Sequence, residues 1–272
     1  MSFDQFETSA SGGEPVLLFD FFIGLAHWRY TTADRSISYL SNTFIPAAIS
    51  AGSINQGQEI KRKTLSVIVP ADLLVVQRLQ QYPPSGDLAL TITALHYDDP
   101  AAEGRSVFIG RVMSQSQVGI TVTLACEPAY TGVQTVGLRR RWQLNCPHVL
   151  YAPTTCTLNA AAFKVVTNIG AVAGPVITCP GLAPPAGLAF PGGYVEWDSG
   201  NGYFEQRSIN AAAGGVLTLA YGSPDLVAGL SINAYPGCDH SGANCNAYGN
   251  ILNYGGELNI PGKNPMSGNP VY

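Results

Sequence analysis

Most of the chain reads as strand and turn, and in segments such as 27–32 and 88–95 apolar and polar positions alternate with a period of two, the period that places successive side chains on opposite faces of a strand. Residues 15–22 are dense in strand formers, residues 27–32 have the pattern of a half-buried strand, and residues 65–69 form a third run stopped by Pro70. In 88–95 the alternation puts Leu88, Leu90 and Ile92 on one face. Residues 107–113 and 118–124 read as a hairpin joined by the polar stretch 114–117. One helix interrupts this series. Within 70–81, Leu73, Val76 and Leu79 recur every three residues, Pro70 suits a helix start, and Pro83-Pro84 would stop it. It reads as a connector packed on the sheet.

A boundary falls near 127–140, where Gly132 and Gly137 punctuate a stretch without periodicity. Beyond it come a strand within 165–172 and a Pro/Gly-rich loop over 175–191. A hairpin follows, with strands 193–197 and 203–207 and the Asp, Gly and Asn cluster of 198–202 as its turn. Strands are expected at 216–219 and 228–234, and the Gly, Asn and Pro-rich tail 246–272 reads as ordered loop. The pattern predicts a mainly β protein with two parts, 1–135 and 136–272, without internal repeats.

Composition narrows the function classes. Charged residues are 12% of the chain, against about 25% in an average globular protein. A surface so poor in charge is either covered by other subunits or faces water through Ser, Thr, Asn and Gly. The balance of 14 basic and 18 acidic residues gives a net charge of −4, which argues against sequence-independent binding to nucleic acid. The basic run Arg139, Arg140 and Arg141 reads as a solvated turn or a subunit contact. Residues 1–13 are polar and acidic, unlike a secretory signal. The most apolar early segment, 16–25, contains Asp20 and is too short to span a bilayer. The expectation is a protein made and kept in the cytoplasm until assembly, where thiols stay reduced and available to metal.

The six cysteines are Cys126, Cys146, Cys156, Cys179, Cys238 and Cys245. Two pairs stand out, Cys146 with Cys156 and Cys238 with Cys245. The second pair lies in a loop of small and turn-forming residues that can present two sulfurs to one centre, with Gly237, Gly242 and Gly249 supplying backbone freedom. Two thiolate pairs from separate loops make a four-sulfur site, suited to zinc or an iron–sulfur cluster. The spacing matches neither the short zinc knuckle nor the common ferredoxin run, so disulfides and free buried thiols remain alternatives. Cys126 and Cys179 read as buried small hydrophobes.

Several motifs carry a family resemblance. They are Arg141-Trp-Gln-Leu-Asn-Cys-Pro147, Thr154-Thr-Cys156, Gly193-Tyr-Val-Glu-Trp197, Tyr235-Pro-Gly-Cys-Asp239, Cys245-Asn-Ala-Tyr-Gly-Asn-Ile-Leu-Asn-Tyr-Gly-Gly256 and Ile260-Pro-Gly-Lys-Asn-Pro265. Together with Trp28-Arg-Tyr-Thr-Thr32, residues 60–70 and Val107-Phe-Ile-Gly-Arg111, they resemble the tail tip or baseplate hub proteins of siphophages, prophages and gene transfer agents. In role that family is similar to the tail tip protein L of phage lambda. The resemblance implies a virion protein at the distal end of the tail, a homotrimeric ring that closes the tail tube. Its implied partners are the distal tail protein, the central fibre or tip proteins and the tape measure protein. It implies β-barrel-like hub structure in 1–135 and a 4Fe–4S cluster in 136–272, held by Cys146, Cys156, Cys238 and Cys245. Such a cluster would act as a structural staple for the tail of the chain. The paired spacings and the two extra cysteines depart from the family pattern.

Other chemistry finds less support. His148 and His240 lie within two residues of a proposed ligand and are candidates for zinc ligation or for donation to sulfur, or else loop histidines facing solvent. Asp239 and Glu257 lie near the same loop without forming a paired-carboxylate pattern. No nucleophile elbow, Walker loop, dinucleotide fingerprint or zincin motif occurs. The 13 tyrosines suit interfaces or aromatic core packing. The leading reading is a structural protein and not an enzyme. A secreted, disulfide-bonded β-rich hydrolase or carbohydrate-binding protein and a redox-active iron–sulfur protein are the competitors.

Overall fold

A computed structural model of the chain describes residues 3–9, 12–53, 64–97, 99, 103–130, 142–200 and 203–260. Its contacts divide it into two compact units, Met1–Val136 with Gly200–Tyr203, and Gly137–Ser199 with Phe204–Tyr272. Both are built mainly from strands. The run Arg139 to Arg141 lies outside the described residues.

The first unit begins with the short helix α1 (Phe3–Glu7), then β1 (Pro15–Ile23), β2 (Ala26–Thr31), β3 (Ile37–Tyr39), β4 (Asn42–Pro46), β5 (Ser50–Ala51) and β6 (Leu65–Pro70). Helix α2 (Leu74–Gln81), β7 (Ala89–His96), β8 (Arg105–Val118) and β9 (Thr121–Pro128) complete it. Among the described residues the strands form one nine-stranded sheet in the order β3-β4-β2-β1-β7-β8-β9-β6-β5. The sheet curls: Tyr30 of β2 and Val67 of β6, far apart in that order, belong to one core with Phe19, Phe21, Leu90, Ile92, Val122 and Leu124. Each of these side chains contributes about 1.5–3 kcal/mol by leaving water. Strand β1 is apolar nearly throughout because both its faces are covered. Phe19, Phe21 and Ile23 enter the main core, while Leu18 packs with Ile37, Phe44 and Leu95 on the other side. Leu88, Leu90 and Ile92 share the buried face that their alternation predicts.

Two predictions in this unit change. The helix starts at Leu74, because Pro70 instead finishes β6 opposite Thr121, at a strand end where its missing N–H costs little. Val75 and Val76 are its buried residues, and Leu73 and Leu79 pack beside them. Tyr82, extended before Pro83, ends it. The polar stretch 114–117 is not a loop. Ser114 to Val118 continue β8, paired from Ala125 to Thr121 after a register shift at Val112/Ser114. The true turn is the two-residue Gly119-Ile120, with Gly119 at φ +62° in the first central position, as a type II′ turn requires.

The second unit contains β10 (Val165–Asn168), β11 (Ala171–Ala173), β12 (Val176–Thr178), β13 (Ala189–Asp198), β14 (Phe204–Ala213), β15 (Val216–Leu219), β16 (Ser231–Gly237) and helix α3 (Gly242–Ala247). The described strands order as β10-β16-β13-β14-β15-β12-β11. The predicted hairpin is β13–β14, paired from Tyr194↔Ser208 to Asp198↔Phe204. Trp197, Ile177, Ile209, Leu217, Leu219 and Ile232 fill the core. Cys179 is fully buried there, and Cys126 is fully buried in the core of the first unit.

Sequence periodicity misplaced three details. The run 165–172 is two strands, β10 and β11, broken at Ile169-Gly170, where both backbone amides bond elsewhere: Ile169 to Leu230 and Gly170 to Thr178. The loop 175–191 contains β12, short and with only Ile177 buried. Strand β16 starts at Ser231, later than the apolar run suggested. The described part of the tail holds the end of α3 and a 3-10 turn, Ile251–Asn253. Residues 261–272 lie outside the described residues.

Candidate metal centre

Strand β16 delivers the first sulfur. Gly237 ends it, and Cys238 follows into a tight corner. A Cβ at Gly237 or at Gly193 opposite would strike the facing backbone, so two glycines allow β13 and β16 to close at this point. Asp239 then accepts the backbone N–H of Ser241 at 2.8 Å, and hydrogen bonds from Ser241 hold the Asp239 carboxyl below its ordinary range. Ser241 in turn caps α3 by accepting from the Asn244 amide at 3.1 Å. That short helix carries Cys245, the buried member of the group.

The other pair comes from the turn-rich segment 142–156. The Cys146 amide donates to the His240 carbonyl at 2.9 Å, and the Glu257 amide donates to the Gln143 carbonyl at 2.9 Å. Tyr254 Oη donates to the Leu144 carbonyl at 2.6 Å. These bonds sew 142–146 to 240–257. Tyr151, Thr157 and His240 all adopt positive φ, near +60°, although none is glycine. Three strained backbone positions beside the cysteines indicate a geometry over-determined by its surroundings.

All four sequence-predicted ligands meet. Cys146, Cys156, Cys238 and Cys245 line one cavity with His148, His240, Tyr248, Asn250 and Asn253. None of the four is joined in a disulfide. Several protein donors point at their sulfurs. The Gly255 amide reaches Cys146 Sγ at 3.3 Å and the His240 amide reaches Cys238 Sγ at 3.3 Å. Asn250 Nδ2 lies 3.8 Å from Cys156 Sγ. Cys245 Sγ donates to the Asn250 carbonyl at 3.2 Å, a bond only the protonated thiol makes.

The electrostatics follow from this convergence. Burial, above all, raises the Cys238 and Cys245 thiols, and for Cys245 the next causes are Cys146, Cys238 and Cys156 themselves. Burial and mutual repulsion therefore disfavour the thiolate form at Cys238 and Cys245 unless a cation, such as a ligated metal, compensates. Amide N–H groups aimed at sulfur are the environment that iron–sulfur sites use. Among the described residues no three His, Cys, Asp or Glu side chains are grouped closely enough to hold a metal ion as they stand.

The histidines and carboxylates take lesser parts. His148 and His240 both line the cavity. His148 Nδ1 is buried without a hydrogen-bond partner among the described residues, and its ring lies where a Cβ on Gly255 would sit, at 2.5 Å. Asp239 orders the Cys238 corner, and Glu257 contributes through its backbone amide.

Sequence reasoning missed the aromatic wall behind the sulfurs. Tyr151 and Tyr248 donate to the Pro236 and Gly237 carbonyls, each at 2.9 Å. Phe163 packs on Tyr248 at 5.0 Å, and Tyr194 stacks on Tyr235 at 4.5 Å. Burial pushes the Tyr248 and Tyr194 phenols to about 12 and the Tyr151 and Tyr235 phenols upward as well. They are neutral hydrogen-bond donors at neutral pH. Only the tyrosine-rich composition hinted at them.

Residues 188–264 match the family model described as "Phage conserved hypothetical protein BR0599". That segment includes Cys238 and Cys245 and stops short of Cys146 and Cys156. A chain of the solved structure described as "Virion of native gene transfer agent (GTA) particle" has a similar fold, with a TM-score of 0.80 at 18% identity. The similarity covers 99% of this chain and 95% of that one. No curated protein matches the chain.

Proposed function

We propose that this protein is a structural component of a phage-type virion, the hub of the tail tip, and that Cys146, Cys156, Cys238 and Cys245 hold a structural 4Fe–4S cluster. The convergence of those four cysteines on one cavity carries the proposal. The end-to-end fold similarity to a chain of a gene transfer agent virion and the phage family match over 188–264 support the virion setting. In that setting the chain forms a homotrimeric ring at the distal end of the tail tube. It would join the distal tail protein to the central fibre or tip proteins and meet the tape measure protein. A chain with 12% charged residues suits extensive cover by neighbouring subunits.

When bound, the cluster would supply a set of covalent-strength cross-links between two loops, with no substrate chemistry required. The protein's own groups do the rest. Gly255 and His240 direct amides at Cys146 and Cys238, and Tyr151 and Tyr248 pin the end of β16 through its carbonyls. Metal-binding energy then becomes folding energy for 238–257.

The test has two arms. Protein purified without oxygen is assayed for iron, labile sulfide and visible absorbance, alongside Cys238→Ser and Cys245→Ser. Colourless, metal-free wild-type protein would end the cluster reading. Particles assembled without the protein are imaged for tail-tip defects, and normal tips would end the hub reading.

A further inference from the structure

We infer that Asn250 is a positioning residue for the four-sulfur site, joining the two cysteine pairs and donating to the sulfur of Cys156. Its side chain serves one pair and its backbone the other. Asn250 Nδ2 donates to the Cys156 carbonyl and lies 3.8 Å from Cys156 Sγ. The Asn250 amide donates to the Cys245 carbonyl at 3.0 Å. Sequence spacing alone does not join Cys156 to Cys245, whereas this residue touches both.

The side chain has one orientation. Asn253 Nδ2 donates to Asn250 Oδ1 at 2.7 Å, so a flipped amide would set two NH2 groups against each other and turn Oδ1 toward the Cys156 carbonyl and sulfur. Asn250 is only 8% exposed, so water does not substitute readily for these bonds. A thiolate at Cys156 would accept more strongly than the thiol does, because hydrogen bonds to ionised acceptors are about twice as strong. An N–H aimed at a ligand sulfur stabilises the reduced, more negative state of a cluster and so raises its reduction potential.

This inference rests on the cluster reading, and its test separates the two. Wild type, Asn250→Asp and Asn253→Ala are purified without oxygen, and iron, labile sulfide, reduction potential and the rate of bleaching by an iron chelator are measured. Asn250→Asp keeps the shape and replaces the donor with a charge of the wrong sign. Its potential is expected to fall and its cluster to bleach roughly 10-fold faster or more. Asn253→Ala frees the amide without touching a sulfur and is expected to move both readouts in the same direction by less. It carries the test if the aspartate variant does not fold. Wild type without iron sinks the cluster reading and this inference together. Iron-loaded wild type with variants of unchanged potential and bleaching rate overturns the role of Asn250 alone.

Discussion

Gly255 donates its backbone N–H to the sulfur of Cys146 over 3.3 Å, although 109 positions separate the two residues. The missing side chain matters as much as the donated proton. A Cβ at 255 would lie 2.5 Å from the His148 ring, which also borders the cavity. Gly255→Ala is therefore expected to push either the ring or the 254–257 backbone out of place. Overpacking of this kind costs about 1–3 kcal/mol. The Cys146 hydrogen bond should lengthen with it. Iron per chain and thermal midpoint, measured together, check this: both should drop, and an alanine variant matching wild type in both would contradict it.

Five of the six cysteines should separate into two classes by reactivity. Cys126 and Cys179 are fully buried in two different apolar cores, whereas Cys146, Cys156 and Cys238 are half-buried around one cavity. Native protein stripped of metal is expected to react with an alkylating reagent at Cys146, Cys156 and Cys238, with Cys126 and Cys179 labelled only after denaturation. Cys126→Ala and Cys179→Ala should keep their iron. Mass spectrometry of labelled peptides reads this directly, and early labelling of Cys126 would be the contrary result.

Much of the fold was legible because the apolar run 15–22, covered on both faces, and the alternation in 88–95 reflect which faces meet a core. It failed where a strand meets no core. Ser114 to Gln117 are polar because that end of β8 is solvated, and pairing with β9, which burial patterns do not record, makes it a strand. Strand β12 was hidden because only Ile177 among its residues is buried. At the site, residue type and family resemblance named the four cysteines. Asn250 and Tyr151 gave no such signal. Asparagine in a Gly/Asn-rich tail and tyrosine in a turn are common, and their roles arise from contacts across 94 and 85 positions of chain.

Alkaline pH should weaken the first unit through Cys126. Burial of this thiol raises its pKa from an ordinary 9.0 to about 12. The unfolded chain therefore releases the proton near pH 9 while the folded chain retains it. The stabilising contribution is complete below pH 9 and is lost progressively as pH climbs toward 12. Cys126→Ala removes the titrating group, so its stability is expected to fall less steeply over that interval. Urea midpoints of wild type and variant at several alkaline pH values, followed by hydrogen exchange of β9, measure the difference. Parallel slopes would show that Cys126 is not responsible.

Among its described residues the second unit buries an ion pair on β14. Arg207 Nη2 meets Glu205 Oε1 at 2.9 Å, with both side chains 1% exposed on the same face of β14. The Arg207 guanidinium also lies 4.3 Å from the centre of the Tyr221 ring and 5.5 Å from that of Trp197. Deleting one charge leaves the other without its opposite charge in a medium that solvates it poorly, which costs about 3–5 kcal/mol. Replacing both with apolar groups of similar size removes that penalty. Glu205→Leu and Arg207→Met alone are thus expected to lower the denaturation midpoint sharply, and the double variant to recover most of the loss. Trp197 packs in the same core and reports it by fluorescence. Additive losses in the double variant would mean that the two charges do not act as a pair.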